Sequence, residues 1–268
     1  MLDYAPPVVF AALAWWLSTG AILFLIGLPR ATFRWTALGA TGLLALATML
    51  VIALRNDTSV TAAYAGFAAG LMLWAWHEVM FLTGFLAGTT RKPCPEGLSP
   101  TGRFRAGVAV ILHHELAIIA HGVLLVAISW GAANQFALWT FLILWIMRIS
   151  AKLVVFSGAP NIADGFLPGH LDYLKSYFSR SRPGRIFVIA ILGVTSLSVL
   201  LALTAFGYAP GTYESAGFLL LTAIVMLALI EHWALVLPVP DPSLWGWAIK
   251  PATRDSSLPN PRDDRKKR

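Results

Sequence analysis

The sequence predicts an all-α polytopic integral membrane protein of about seven transmembrane helices, and three observations predict it. Of the 268 residues, 57% are hydrophobic and only 12% charged, whereas soluble domains carry about 25% charged residues. The apolar residues gather in runs of roughly 20, the length an α-helix needs to cross the hydrocarbon core. The basic residues fall in alternate connections between those runs, as they do in membrane proteins that mark one face as cytoplasmic.

The spans are read in order at 8–28, 35–54, 61–87, 106–130, 136–157, 186–207 and 215–237. Pro29-Arg30 closes the first, Arg55-Asn56-Asp57 the second, and Pro238 with Pro240 the last. Residues 88–105 read as a Gly/Pro/basic loop and residues 131–135, GAANQ, as a tight uncharged turn. Residues 1–250 form one transmembrane domain, and residues 251–268 a basic tail, ending in RDDRKKR, that is expected to be disordered. The first segment lacks a basic n-region and is followed by Arg30 and Arg34, so it reads as an uncleaved span rather than a signal peptide. No internal repeat stands out, and an odd span number argues against a simple inverted duplication.

Charge sets the expected orientation. On one side of the membrane the connections and tail carry 17 Lys and Arg, and on the other only Arg55. The N-terminus is therefore expected outside and the C-terminus in the cytoplasm. The net charge of +7 could suggest nucleic-acid binding, but its confinement to short loops and the tail assigns it to topology. A single cysteine, Cys94, excludes an internal disulfide and a multi-cysteine metal site.

The chemistry lies in what the spans should not contain. An ionised side chain near the bilayer centre costs about 2.5–3.5 kcal/mol on the insertion scale, and such residues usually face the bundle interior. Span three carries His77 and Glu78; span four, in ILHHELAIIAH (111–121), carries His113, His114, Glu115 and His121; span five carries Arg148 and Lys152; span seven carries Glu231 and His232. At about 1.5 Å rise per residue, Glu78 and Glu115 should lie roughly 14 Å from the cytoplasmic ends of their spans, Arg148 roughly 13 Å and Glu231 roughly 10 Å. Four helices thus place acidic, imidazole and basic groups at one depth.

Two readings stand. In one, the groups satisfy one another: the glutamates pair with Arg148 and Lys152, and the layer is interhelical glue. In the other, His77, Glu78, His113, His114, Glu115, His121, Glu231 and His232 are candidate ligands for a metal or a tetrapyrrole. Histidine with carboxylate suits iron, zinc or manganese, and a lone intramembrane histidine suits the central metal of a haem or chlorophyll. Arg148 and Lys152 would then be charge partners or would hold an anionic group. The spacings that mark a zinc protease or a di-iron helix pair, HExxH and ExxH, are absent. Trp74, Trp76, Trp145 and Trp233 flank the layer, as packing or as walls for a flat ligand.

A further element is expected near 168–179. Pro168 can open a short helix, and Leu167, Leu171, Leu174 and Phe178 recur at helical spacing with Lys175, Arg180, Arg182 and Arg185 nearby. This reads as a cytoplasmic amphipathic helix on the anionic membrane surface, or as a docking face on which His170, Leu171, Leu174 and Phe178 meet a partner. His170 reads as a solvated interfacial residue in preference to a ligand.

The segments WHEVMFLTGFLAGTTRKPCPEG (76–97), HHELAIIA (113–120), NQFALWTFLILWIMRISAKLVVFSGAPN (134–161), FLPGHLDYLKSYF (166–178) and EHWALVLPVPDPSLWGWA (231–248) together resemble the photosynthetic complex assembly protein 2 (PuhE) family. The likeness spans roughly residues 8–250. It implies an integral membrane factor of anoxygenic photosynthesis. Such a factor would assist assembly of the reaction centre and light-harvesting complexes, or modulate bacteriochlorophyll supply, in the bacterial cytoplasmic or intracytoplasmic photosynthetic membrane. Implied partners are the lipid bilayer, photosynthetic complex subunits or pigment-synthesis enzymes, with no nucleic acid. An implied ligand is a bacteriochlorophyll or a precursor. The family supplies no catalytic residues, and whether the chain is an enzyme stays open. The competing class is a membrane metalloenzyme, a di-metal oxidase or hydroxylase acting on a pigment or lipid, and a third is a scaffold held by salt bridges.

Overall fold

The computed structural model describes residues 2–162, 164–237 and 245–248. The tail expected over 251–268, and Pro238 and Pro240, lie outside the described residues. Among the described residues, eight α-helices follow one another: α1 (Ala5–Ile26), α2 (Phe33–Ala53), α3 (Val60–Leu82), α4 (Pro100–Ala109), α5 (Leu112–Ser129), α6 (Phe136–Ser157), α7 (Arg185–Phe206) and α8 (Tyr213–Ala234). Seven of these are long and apolar enough to cross a membrane, and α4 is the exception.

The bundle is built around α3 and α8. They are the two most enclosed spans, with 50% and 61% of their apolar windows buried against 17–33% in the others. Around them stand α1, α2, α6 and α7, whereas α5 packs more sparsely, against α6, α2 and α3. Small residues allow the central helices to close. A Cβ on Gly70 would lie 2.6 Å from Thr140 Cβ and 2.8 Å from the Ala137 carbonyl oxygen, so α3 and α6 approach through a missing side chain. A Cβ on Gly217 of α8 would lie 1.9 Å from the Phe136 ring. Lipid supplies no hydrophobic drive between helices, so close van der Waals fit of this kind is what holds them together.

One expected span is broken. The apolar run over 106–130 is continuous in sequence, yet α4 stops at Ala109 and α5 begins at Leu112. The third span likewise ends at Leu82, not at 87. Both departures have one cause. The chain after α3 folds back and wedges against the break: the Thr89 N–H donates to the Ala109 carbonyl at 2.8 Å, and the His114 N–H donates to the Ala87 carbonyl at 3.1 Å. Backbone groups released by the break are thereby satisfied, as burial demands. Gly88 makes the wedge possible, since a Cβ there would sit 2.1 Å from the Ala109 oxygen. His113, His114 and Glu115 consequently open a helix instead of sitting inside one.

The element expected near 168–179 is a 3-10 helix, Gly169–Tyr177. Three residues per turn stack positions i and i+3, so its ridges differ from those an α-helix would form. Leu171, Leu174 and Tyr177 form the buried ridge and pack with Phe81 and Val110. The apolar face that was expected to meet lipid or a partner is therefore covered by the chain's own α3 and the α4–α5 break. Phe178 is only partly buried against the same cluster. The third ridge carries the ion pair Asp172–Lys175, 2.7 Å apart and facing outward.

Candidate functional site

The polar layer forms, and two of its three carboxylates are paired with cations. On α3 and α6, Arg148 Nη2 donates to Glu78 Oε2 at 3.0 Å. On α5 and α6, Lys152 Nζ donates to Glu115 Oε1. Arg148 and Lys152 lie four residues apart on α6, on one face of the helix. The Trp145 indole reaches Glu115 Oε2 from one turn earlier, at 3.5 Å. Glu231, exposed on the last turn of α8, lies within electrostatic reach of Arg148, Glu78 and the Trp15 side chain.

The expected depths of Glu78, Glu115 and Glu231 do not hold, because α3, α5 and α8 are shorter than the apolar runs that contain them, whereas Arg148 stands nine residues from the end of α6 as expected. Glu78 stands four residues from the end of α3, and Glu115 lies in the first turn of α5. They still meet the cations of α6.

The histidines divide. His232 is saturated: its Nδ1 lies 2.7 Å from the Ala228 carbonyl and its Nε2 lies 2.9 Å from Ser150 Oγ. A carbonyl only accepts, so Nδ1 carries the proton, and the ring ties α8 to α6. His113 is exposed and joins nothing in the layer. His77, His114 and His121 come together between α3 and α5. His77 Nε2 and His121 Nδ1 share a hydrogen bond of 3.0 Å. The His77 ring lies 5.1 Å from that of His121 and 6.3 Å from that of His114. Phe141 touches His77 and His121, Trp74 and Trp76 flank His77, and Phe81 covers His114 at 4.6 Å. Trp74 and Trp76 are thus walls of a histidine row. Trp233 packs away from it, against Phe187.

Several polar atoms in the row are sealed without partners: Nδ1 of His77, Nδ1 of His114 and Oε1 of Glu78. His121 differs. It is half-buried, its Nδ1 is held by His77, and its Nε2 has no partner among the described residues and is not sealed. Among the described residues, no three of His, Cys, Asp and Glu converge into a group that could hold a metal ion. The three imidazoles form a row, and the two interior carboxylates face cations. Sequence spacing could not reveal the His77–His121 bond, because it depends on the register between two helices separated by a loop.

The model of a family described as a protein of unknown function, DUF3623, matches residues 1–256. The chain belongs to this family. It is also 37% identical over 246 residues, 90% of this chain and 89% of the relative, to a protein of Rhodobacter capsulatus described as an uncharacterized 30.4 kDa protein in the puhA 5′ region. No solved structure matches the chain.

Proposed function

We propose that the protein is a pigment-handling factor of the photosynthetic membrane, of the PuhE type, which holds bacteriochlorophyll or a precursor through His121 while complexes are assembled or supplied. The gene context of the Rhodobacter capsulatus relative supports the photosynthetic setting. The observation that carries the ligand is the state of His121. It lies near the middle of α5, its Nδ1 is fixed by His77 Nε2 at 3.0 Å, and its Nε2 is open. A histidine that binds a metal is normally oriented in this way, through a hydrogen bond to its other nitrogen. An open imidazole nitrogen at that depth has no water to pair with, and the central magnesium of a chlorin would satisfy it. An apolar groove between α5 and α6, lined by Ile119, Gly122, Val123, Val126, Leu142 and Trp145 with a volume of about 230 Å³, suits a hydrocarbon tail.

The di-metal oxidase reading draws less support. It needs Glu78 and Glu115 as ligands, and both are committed to Arg148 and Lys152. Orientation with a cytoplasmic C-terminus belongs to the same proposal and rests on the charge count.

The test is a titration of detergent-purified protein with bacteriochlorophyll, followed by absorbance and circular dichroism of the long-wavelength band. Stoichiometric binding with an induced dichroic signal is expected. His121→Ala should abolish it, and His77→Ala should weaken it about tenfold, within the 10–100-fold usual for an orienting partner. Equal binding by His121→Ala, or no binding above detergent background, would overturn the reading.

A further inference from the structure

Outside the membrane-spanning layer, the 3-10 helix Gly169–Tyr177 presents a second ridge, His170, Tyr173 and Ser176. That ridge faces the loop after α3. Ser176 Oγ accepts from the Cys94 N–H at 2.8 Å. The other two residues end in buried atoms with no partner, His170 Nε2 and Tyr173 Oη. The Leu82 backbone acts on the His170 ring as an acceptor would, and Nε2 is left without a partner.

Two cations act on this ridge. Arg91 Nη2 donates to the Gly84 carbonyl at 2.7 Å. A Cβ on Gly84, whose φ is +83°, would come within 3.2 Å of His170 Nε2, so Arg91, Gly84 and His170 share one small space. Arg91 acts electrostatically on both His170 and Tyr173, and Arg30 acts on His170. Among the described residues neither arginine has a carboxylate partner; the nearby Asp172 and Asp164 are taken by Lys175 and Arg180. Burial first, then Arg30 and Arg91, hold the His170 imidazole below the ordinary histidine range, against the Leu82 backbone, which pushes it up. Two guanidinium groups without a carboxylate partner among the described residues, a phenol and an imidazole are thus gathered at this ridge.

We propose that Arg30, Arg91, His170 and Tyr173 form a binding site for an oxyanion, a phosphate-type group held at the head-group level of the bundle. Planar guanidinium groups suit such ligands. Phosphate could be free or belong to an anionic lipid. Binding is linked to proton uptake: His170 Nε2 must gain a proton to donate to the anion, so the anion raises the His170 midpoint, and affinity falls as pH rises through it. This site is independent of the pigment reading and survives its failure.

The test follows the six histidines by ¹⁵N NMR of the full chain in nanodiscs of phosphatidylcholine, with His170→Gln assigning the signal. Inorganic phosphate is titrated in, and separately the bilayer is changed to one containing phosphatidylglycerol. The His170 midpoint should rise by about one pH unit, the low end of what an adjacent opposite charge produces. Exposed His113 should stay still under phosphate. A response to both probes, or to phosphate alone, supports a general oxyanion site; a response to the lipid alone makes the head group the ligand. Tyr173→Phe, which keeps the ring, should weaken binding about tenfold, the loss of one hydrogen bond to a charged group, and Arg91→Gln should remove the response. No movement with either probe, or His113 moving in step with His170, would overturn the site.

Discussion

At the scale of single residues, the same chemical group takes opposite roles within one bundle. His232 uses both nitrogens on protein partners, whereas His121 uses one and leaves the other open. Glu115 and Lys152 are each only partly exposed, at 18% and 25% of the side chain, so neither can exchange its partner for water. Removing one member of such a pair strands the other charge, which costs about 3 kcal/mol or more, while removing both relieves it. Glu115→Ala and Lys152→Met are therefore expected to destabilise the protein separately by about 3 kcal/mol each. The double variant should lose less than the sum, with a coupling of about 1–2 kcal/mol, the upper part of what interhelical polar contacts reach in membranes. Thermal unfolding of the four proteins in one detergent measures the cycle. Strict additivity would mean that the two charges do not depend on each other. That these charges exist inside apolar runs is legible from the sequence, whereas their depths are not, because α3 and α5 are shorter than the runs. Their pairing is not, because Glu78 could have faced Lys152 and Glu115 Arg148 on the same spacing.

At the scale of elements, hydropathy located the seven spans because each apolar run exceeds what a soluble helix of that length would carry. It did not locate the break between α4 and α5. Residues 106–130 contain no proline, and the interruption comes from a distant segment, 84–89, that supplies the hydrogen bonds a continuous helix would have made itself. The 3-10 helix was missed for a related reason: Leu167, Leu171, Leu174 and Phe178 fit an α period, and only packing on Phe81 and Val110 selects the three-residue period of Leu171, Leu174 and Tyr177. Helix contacts through glycine are equally silent in the sequence, though they decide the bundle. Gly217 gives its space to the Phe136 ring. Gly217→Ala should cost about 2 kcal/mol, within the range for overpacking a filled core, even though alanine is the better helix former. Trimming the ring with Phe136→Leu in the same chain should recover part of that loss. If Gly217→Ala instead raises the unfolding temperature, α8 and α6 do not meet as closely as described.

At the scale of the whole molecule, the two ends of the bundle are built differently. One end is thin: Arg55 donates to the Trp130 carbonyl at 3.2 Å, and Asn134 joins Arg55 and Ala62 through bonds of 2.9 and 3.1 Å. The other is thick, with the 84–99 loop, α4 and the 3-10 helix stacked beneath the polar layer. Arg30, Arg91, Arg103 and Arg180 belong to it. The charge count assigns the thick end to the cytoplasm, and the chain carries its own means of checking this. Cys94 is the sole cysteine and lies half-buried in that end. In a Cys94→Ser background, exposed Glu96 at the thick end and exposed Ala209 at the thin end can each be changed to cysteine. A membrane-impermeant maleimide should then label Glu96→Cys only in inside-out vesicles and Ala209→Cys only in right-side-out ones. The reverse pattern would place the thick end outside. It would leave the helix packing and the His77–His121 bond untouched, because neither depends on orientation. It would remove the oxyanion cradle from the anionic cytoplasmic leaflet, where lipid head groups are most abundant as ligands, and leave free anions on the far side as its remaining source.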